Sequence, residues 1–420
     1  VNPVRSVIES SPGPARRVVV VAWFAVVCFV PVWLGVQIRF PVMPAVLVGV
    51  VLVGVLALLR PVRPSGLGVG DLLFASLLVC CAVPAVTGHV APDDVFILVS
   101  QWTLGYVLGR LMLTRVPLAA VYGVATGVFV LVGLLAVAEF VTGTNVFTQL
   151  VRDGRLYEEW GTLQERGGFL RAEGAFGHSL ALGVSTAIAV PFVLGAGLRD
   201  RWKAVALAVL GAAVVVTFSR TSMLCFVFAT GLVLLLGGPV VGRWFRVGVV
   251  GLGCVAALAL APFVGSVFTA AGSEATESGE YRGDLLELVP TMVAFGSSPA
   301  RQVVGEGAVY YRAYHSIDNA LILSGLRYGW VPVVVMVVAW LLAVVQVLNR
   351  RATMPVFALV ATAPALVTVA FITQYEIYVF FIAGLAATPM CVDQRWRTQD
   401  TNGSRTPPAA LTAAVAGDGR

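Results

Sequence analysis

Long apolar runs separated by short polar connections set the pattern of this chain. Runs of about 18 or more mostly apolar residues recur at 18–36, 42–59, 69–88, 95–113, 117–139, 178–198, 203–218, 221–238, 247–268, 329–348, 354–372 and 375–392. Each is about long enough to cross a hydrocarbon core roughly 30 Å thick. Backbone N–H and C=O groups in lipid must be satisfied within their own segment, so the runs are predicted to be helices. The pattern therefore predicts an all-α, polytopic helical membrane protein with about twelve transmembrane helices. The runs at 69–88, 203–218 and 354–372 are interrupted by a polar residue, a turn or a proline. The first run is expected to be a span and not a cleavable signal peptide. It is long, and no small-residue cleavage site precedes the next run.

Two connections break the economy of the rest, one at 140–177 and one at 269–328. Loops of this length with mixed charge and aromatics carry function or are disordered. They divide the chain into an N-terminal bundle (1–139), a first loop (140–177), spans around Ser219-Arg220-Thr221 (178–268), a second loop (269–328), three last spans (329–392) and a tail (393–420). The tail is polar and rich in Thr, Ala, Pro and Gly, the composition of a disordered segment. Within the second loop, 282–295 places Leu285, Leu288, Val289 and Met292 on one helical face, which predicts an amphipathic surface helix kinked at Pro290. Gly305-Glu306-Gly307 follows, then Tyr310, Tyr311, Arg312 and His315-Ser316-Ile317-Asp318-Asn319.

Charge gives the pattern an orientation. With the N-terminus inside, the inner segments hold 18 of the 28 basic residues, and the outer segments hold 16 of the 22 acids. That asymmetry obeys the positive-inside rule, so both termini are expected on the cytoplasmic face of the plasma membrane and both long loops outside. The net charge of +6 is then accounted for by topology, and there is no soluble basic patch of the kind that binds nucleic acid. Six cysteines fall in or beside apolar runs without metal-ligand spacing, so no metal site is expected. One lysine against 27 arginines is the mark of a GC-rich host.

Arg220 stands out within this scheme. It lies on the face where arginine is scarce, between two apolar runs, and a cation at that depth is costly unless an anion pairs with it. Arg171, Arg282 and Arg312 are predicted at the same boundary. The first loop closes on Arg171-Ala172-Glu173-Gly174-Ala175-Phe176-Gly177-His178-Ser179. Arginine suits bidentate phosphate binding, so the cluster points to a lipid-linked pyrophosphate. His315 and Asp318, three residues apart, would share a face if their stretch were helical, and either could act as a general base.

In this order the motifs resemble the O-antigen ligase and O-antigen polymerase family of bacterial membrane glycosyltransferases. The features are Arg-x-x-Gly-x-Phe-Gly-His at 171–178, Ser219-Arg220-Thr221, Arg282 opening a long outer loop, and Gly305-x-Gly307 before His315 and Asp318-Asn319, then Gly325 to Gly329. Motifs cover about 160–345, and hydropathy alone covers the rest. The resemblance implies transfer of a glycan from a polyprenyl pyrophosphate to an acceptor hydroxyl on the outer face, with inversion, no metal and no cofactor. The acceptor would be another lipid-linked glycan in a polymerase, or a lipid core or other molecule in a ligase; a flippase is the implied assembly partner. Arg220, Arg282, Arg171 and Arg312 would hold the departing pyrophosphate, and a residue of the second loop would deprotonate the acceptor. Many family members carry His immediately before the loop Asn. Here that position is Asp318, with His315 three residues earlier, so the base is open between them.

Plainer readings stand beside these. Arg220 would snorkel to headgroups. Arg282 would lie on a solvated helix face. Arg171 and Arg312 would pair with Glu173 or other loop acids. His178 would start a helix, and Asp318 would only cap one. His89 has no assigned part, and Gly305-x-Gly307 is too weak to mark a nucleotide site. A transporter or flippase of lipid-linked sugars is the main functional alternative. It would place ionisable groups mid-membrane and show repeats with broken helices. A non-enzymatic scaffold would give no reason to gather arginines beside a His–Asp pair.

Overall fold

The computed structural model describes residues 14–62, 66–150, 154–270, 272, 280–304 and 308–387. The tail at 393–420 and Gly305-x-Gly307 lie outside the described residues. The described chain is mostly helical, with three two-stranded antiparallel hairpins. Its helices are α1 (Pro14–Phe29), α2 (Pro44–Leu58), α3 (Val69–Val86), α4 (Pro92–Arg115), α5 (Leu118–Thr142), α6 (Arg155–Trp160), α7 (Ser179–Gly195), α8 (Asp200–Val216), α9 (Arg220–Leu236), α10 (Arg243–Ala270), α11 (Ala320–Tyr328), α12 (Trp330–Leu348), α13 (Met354–Leu366) and α14 (Thr373–Ala386). The hairpins are β1–β2 (Val36–Gln37, Pro41–Val42), β3–β4 (Glu165–Arg166, Phe169–Leu170) and β5–β6 (Arg301–Val304, Ala308–Tyr311).

Five of these helices, α3, α4, α5, α10 and α12, are long and apolar enough to cross a membrane, and α2, α7, α9 and α13 are shorter apolar helices. Their outward faces are apolar too. Val50, Val51 and Val55 on α2, Val79 and Val83 on α3, Val250, Val255 and Leu258 on α10, and Val338 and Leu341 on α12 are all exposed. So continuous an apolar surface would aggregate in water, and it marks a membrane-embedded protein.

Two helices form the centre. Almost every residue of α7 and α14 is buried, so the bundle packs around them. The α4–α14 contact depends on glycine. A Cβ at Gly109 would lie 2.1 Å from the Phe381 carbonyl oxygen, and one at Gly384 would lie 2.1 Å from that of Tyr106. Gly105 and Gly109, four residues apart on α4, thus let two backbones touch, as small residues do between helices in lipid. Gly183 on α7 makes room for a side chain of α9, since a Cβ there would meet Ser222 Oγ at 2.4 Å. That contact sets the first turn of α9, where Arg220 sits.

The second loop is a small folded unit. Leu285, Leu288, Tyr311, Ile317, Ile322 and Leu326 bury one another in a core separate from that of the bundle. The predicted amphipathic helix over 282–295 is only partly formed. Helix ends at Asp284, a 3-10 turn runs Leu285–Thr291 through Pro290, and the chain is extended from Met292. Of the predicted apolar face, Leu285 and Leu288 are buried while Val289 is exposed. Proline removes a backbone donor and clashes with the preceding turn, which ends regular helix here.

Ion pairs bind this unit to α4. Arg301 Nη2 reaches both carboxylate oxygens of Asp93 at 3.0 and 2.8 Å, and Arg327 Nε lies 3.0 Å from Asp94 Oδ1. Tyr328 donates its hydroxyl to the Asp94 carbonyl at 2.7 Å. The first loop is held from α5: Glu139 Oε1 accepts from Asn145 Nδ2 and the Glu173 backbone N–H, each at 3.0 Å, and Oε2 accepts from the Gly174 N–H at 3.0 Å. Both long loops are therefore seated at one end of the bundle, where they meet.

Candidate functional site

The two loops enclose a polar cavity of 480 Å³ lined by Gln164, Glu165, Arg166, Arg171, His178, Leu180, Ser219, Arg220, Thr221, Arg282 and Asp318. Two helix N-termini, those of α7 and α9, open on it, and a third, that of α11, follows directly after Asp318. His178 caps α7, its Nδ1 accepting from the Leu180 N–H at 3.1 Å. Ser219 caps α9, its Oγ accepting from the Ser222 N–H at 3.1 Å and from the Ser222 hydroxyl at 2.8 Å. Asn319 caps α11, its Oδ1 accepting from the Ile322 N–H at 2.9 Å. Helix N-termini carry partial positive charge and favour anions. Among the described residues, the lining holds four guanidiniums and two carboxylates, Glu165 and Asp318. Arg220 occupies the first position of α9, the end of a helix dipole that favours an anion and not a cation. The arrangement suits an anion shared between that N-terminus and the arginine.

A strained turn sets two of these arginines. Between α8 and α9, Phe218 adopts φ +46°, a costly value for a bulky residue. The turn presents two successive carbonyls. That of Thr217 accepts from Arg171 Nε at 3.0 Å, and that of Phe218 from Arg166 Nη1 at 3.1 Å. Arg171 Nη1 also reaches Gln164 Oε1 at 3.2 Å. Arg282 comes from the second loop, and among the described residues its Nε is buried without a hydrogen-bond partner. A buried unsatisfied donor is uncommon and calls for an acceptor such as a ligand oxygen. Asp318 is half-buried, with Oδ1 accepting from the Ser316 hydroxyl at 3.1 Å.

The cavity thus gathers Arg171, Arg220, Arg282 and Asp318 and leaves out Arg312 and His315. Arg312 is exposed, at φ +55° in the turn after β6, with Nη1 3.5 Å from the Glu287 carbonyl oxygen. His315 is exposed too, its ring 4.9 Å from that of Tyr310. The shared helical face considered for His315 and Asp318 is absent, because α11 begins only at Ala320. Its cap is Asn319, so Asp318 is not the capping residue and its carboxylate is left for the cavity. His178 does start a helix, as the plainer reading has it. Arg166 was not among the expected residues. Its signal was its place beside Gly167-Gly168, a tight hairpin turn with φ +56° and +79° that lays β3–β4 across the cavity.

Glu173 lies just behind the lining. Burial pushes its carboxyl up to about 8, against the lowering effect of the Gln164 N–H and Arg171. A raised carboxyl value favours folding fully below its ordinary 4.5, and the contribution is lost as pH rises through about 8. Glu173→Gln keeps an oxygen for the Gln164 N–H without the charge. It should match the wild type in melting temperature near pH 5 and exceed it increasingly toward pH 9. A variant that loses stability in parallel with the wild type over that range would mean Glu173 ionises freely in the fold.

Comparison with known family models finds none that matches the chain, and comparison with curated proteins finds no match.

Proposed function

We propose that this protein is a membrane glycosyltransferase of the O-antigen ligase and polymerase type. It would transfer or polymerise glycan carried on a polyprenyl pyrophosphate, at the extracytoplasmic face of the plasma membrane, in cell-surface polysaccharide assembly. The observation that carries the reading is the cavity itself: four arginines and two helix N-termini beside one half-buried carboxylate, at the loop end of an apolar bundle. A separate apolar groove of 420 Å³ supports it. The groove runs between α3, α12, α13 and α14, and at the loop end it is lined by Leu321, Leu366 and Val367, beside Asn319 and Thr368. Thr368 Oγ1 in turn lies 3.0 Å from Thr221 Oγ1 of the cavity. An anionic head and an apolar chain would each find a place.

In the proposed reaction the acceptor hydroxyl oxygen attacks the anomeric carbon as the bond from that carbon to the pyrophosphate oxygen breaks. The configuration inverts. Asp318 takes the hydroxyl proton, and the charge growing on the departing pyrophosphate is met by Arg171, Arg220 and Arg282. Fixed charges aimed at developing charge are usually the largest catalytic contribution. Twelve spans with cytoplasmic termini complete the proposal, with a flippase as the supplier of donor.

The test is transfer itself. Purified protein, a polyprenyl-pyrophosphate-linked oligosaccharide and an acceptor should give a lengthened glycan and free polyprenyl pyrophosphate, in chelator as well as without it. Donor moved across vesicles with no transfer would favour the flippase reading instead. The orientation has its own check. Reporter fusions after residues 60, 115, 200, 245 and 350 should read as cytoplasmic and those near 155 and 300 as external, following the charge asymmetry. A cytoplasmic signal near 300 would end this mechanism.

A further inference from the structure

The C-terminal turn of α10 carries an aromatic ring that no step of the proposed reaction uses. The Phe268 ring centroid lies 4.3 Å from Arg220 Cζ and 5.6 Å from Arg166 Cζ, so two cavity guanidiniums share one aromatic ring. The placement is built from both sides. Gly167 presses on α10: a Cβ there would lie 2.4 Å from the Val267 carbonyl oxygen, and its φ of +56° favours glycine. One turn earlier, Phe263 packs on Phe169 and Phe218 with ring centroids 5.6 and 6.1 Å apart. These contacts seat the end of α10 on the first loop, while the rest of the helix leaves its side chains exposed toward the bilayer.

Arg220 needs such a partner. It is exposed, it stands at the positive end of a helix dipole, and Arg166 beside it carries the same charge. A ring face attracts a guanidinium through its quadrupole, and a planar guanidinium can take a ring on its face and an anion at its N–H edges together. We infer that Phe268 is a positioning residue for the pyrophosphate site, holding Arg220 and Arg166 side by side so that both present N–H edges to one phosphate-bearing ligand. The inference rests on the anionic-ligand reading of the cavity and gives it a part from a helix otherwise outside the site. It also joins α10 to the leaving group: occupancy of the cavity and the seating of this helix become linked.

The experiment measures binding of farnesyl pyrophosphate to the full chain in detergent, by calorimetry, so that it does not depend on turnover. Phe268→Leu should weaken binding on the order of tenfold, and Phe268→Trp should stay within about twofold of wild type. Replacing Phe268 with trifluorophenylalanine keeps the shape and drains the ring face of negative charge, so it should weaken binding by about three- to tenfold. A loss of packing alone would not produce that. Wild-type affinity in the fluorinated and Leu variants, with binding lost in Arg220→Ala, would overturn the role of Phe268 and leave the anion site standing. Unchanged binding in Arg220→Ala, or none in the wild type, would overturn the anion site itself. Should Phe268→Leu fail to fold, the fluorinated variant decides alone.

Discussion

Arg220→Ala is expected to abolish glycan transfer, and Arg220→Lys to reduce it by about 10² or more, with both variants inserted and folded. Arg220 opens α9 at the rim of a cavity whose other cations, Arg166, Arg171 and Arg282, come from the two loops. Arg171 and Arg166 are held to the carbonyls of Thr217 and Phe218, whereas Arg220 rests against the ring of Phe268 and is exposed. Its N–H groups are therefore well placed to meet an incoming ligand. Removing a donor aimed at developing negative charge typically costs about 10² to 10³ in rate. Lysine keeps the charge but loses the fork that grips two oxygens at once, and its compact ammonium is more strongly hydrated. Arg282→Ala should follow with a smaller loss, its buried Nε having no hydrogen-bond partner among the described residues. The measurement is transfer from purified lipid-linked donor at matched protein levels. Wild-type product lengths and yields from Arg220→Ala would reduce this arginine to a headgroup anchor.

Most helices were legible because their signal is local. A run of apolar residues between polar turns needs no partner to be read, and the described helices α1 to α5, α7 to α10 and α12 to α14 fall on the apolar runs. The α4–α14 contact was written in Gly105-x-x-x-Gly109, a spacing that acquires meaning only when the opposing backbone of Phe381 is in place. The second loop was harder. Its core joins Leu285 and Leu288 to Tyr311, Ile317 and Ile322, residues about thirty positions apart, and no periodicity announces a pairing of that kind. Periodicity alone therefore extended the helix past Pro290, and the shared face open to His315 and Asp318 needed a helix that begins only at Ala320. The arginines were legible as chemistry but not as geometry. Nothing local separates Arg282, which reaches the cavity, from Arg312, which the φ +55° turn after β6 carries away from it.

Asp318→Asn should lower transfer by about 10² to 10⁴, the usual cost of losing a general base, while His315→Ala should cost no more than a few-fold. Sequence position and structure act on the choice differently. Position pairs Asp318 with Asn319, where many members of the resembling family carry His, but chemistry alone favours the imidazole as the stronger base near neutral pH. The structure places the two side chains in different surroundings. Asp318 lines the arginine cavity with its carboxylate turned from capping duty by Asn319, whereas His315 is exposed against Tyr310 outside that lining. A base must come within hydrogen-bond reach of the hydroxyl it deprotonates, and a catalytic hydrogen bond can tighten on binding, so proximity to the cavity outranks intrinsic basicity. Asparagine matches aspartate in shape and can still accept from the Ser316 hydroxyl, so a large loss in Asp318→Asn isolates the charge from the packing. Asp318→Ala should then be no worse than Asp318→Asn. Donor affinity separates the base from the arginines: Asp318→Asn should leave binding of the lipid pyrophosphate within about twofold of wild type, because the lost step is proton removal from the acceptor. The opposite pattern, a mild Asp318→Asn with a His315→Ala loss of about 10² or more, would move the base to His315 and require the Tyr310–His315 turn to fold inward when acceptor binds. Near-normal rates in both variants would remove this pair from the mechanism and leave the arginines as the whole of the catalytic machinery.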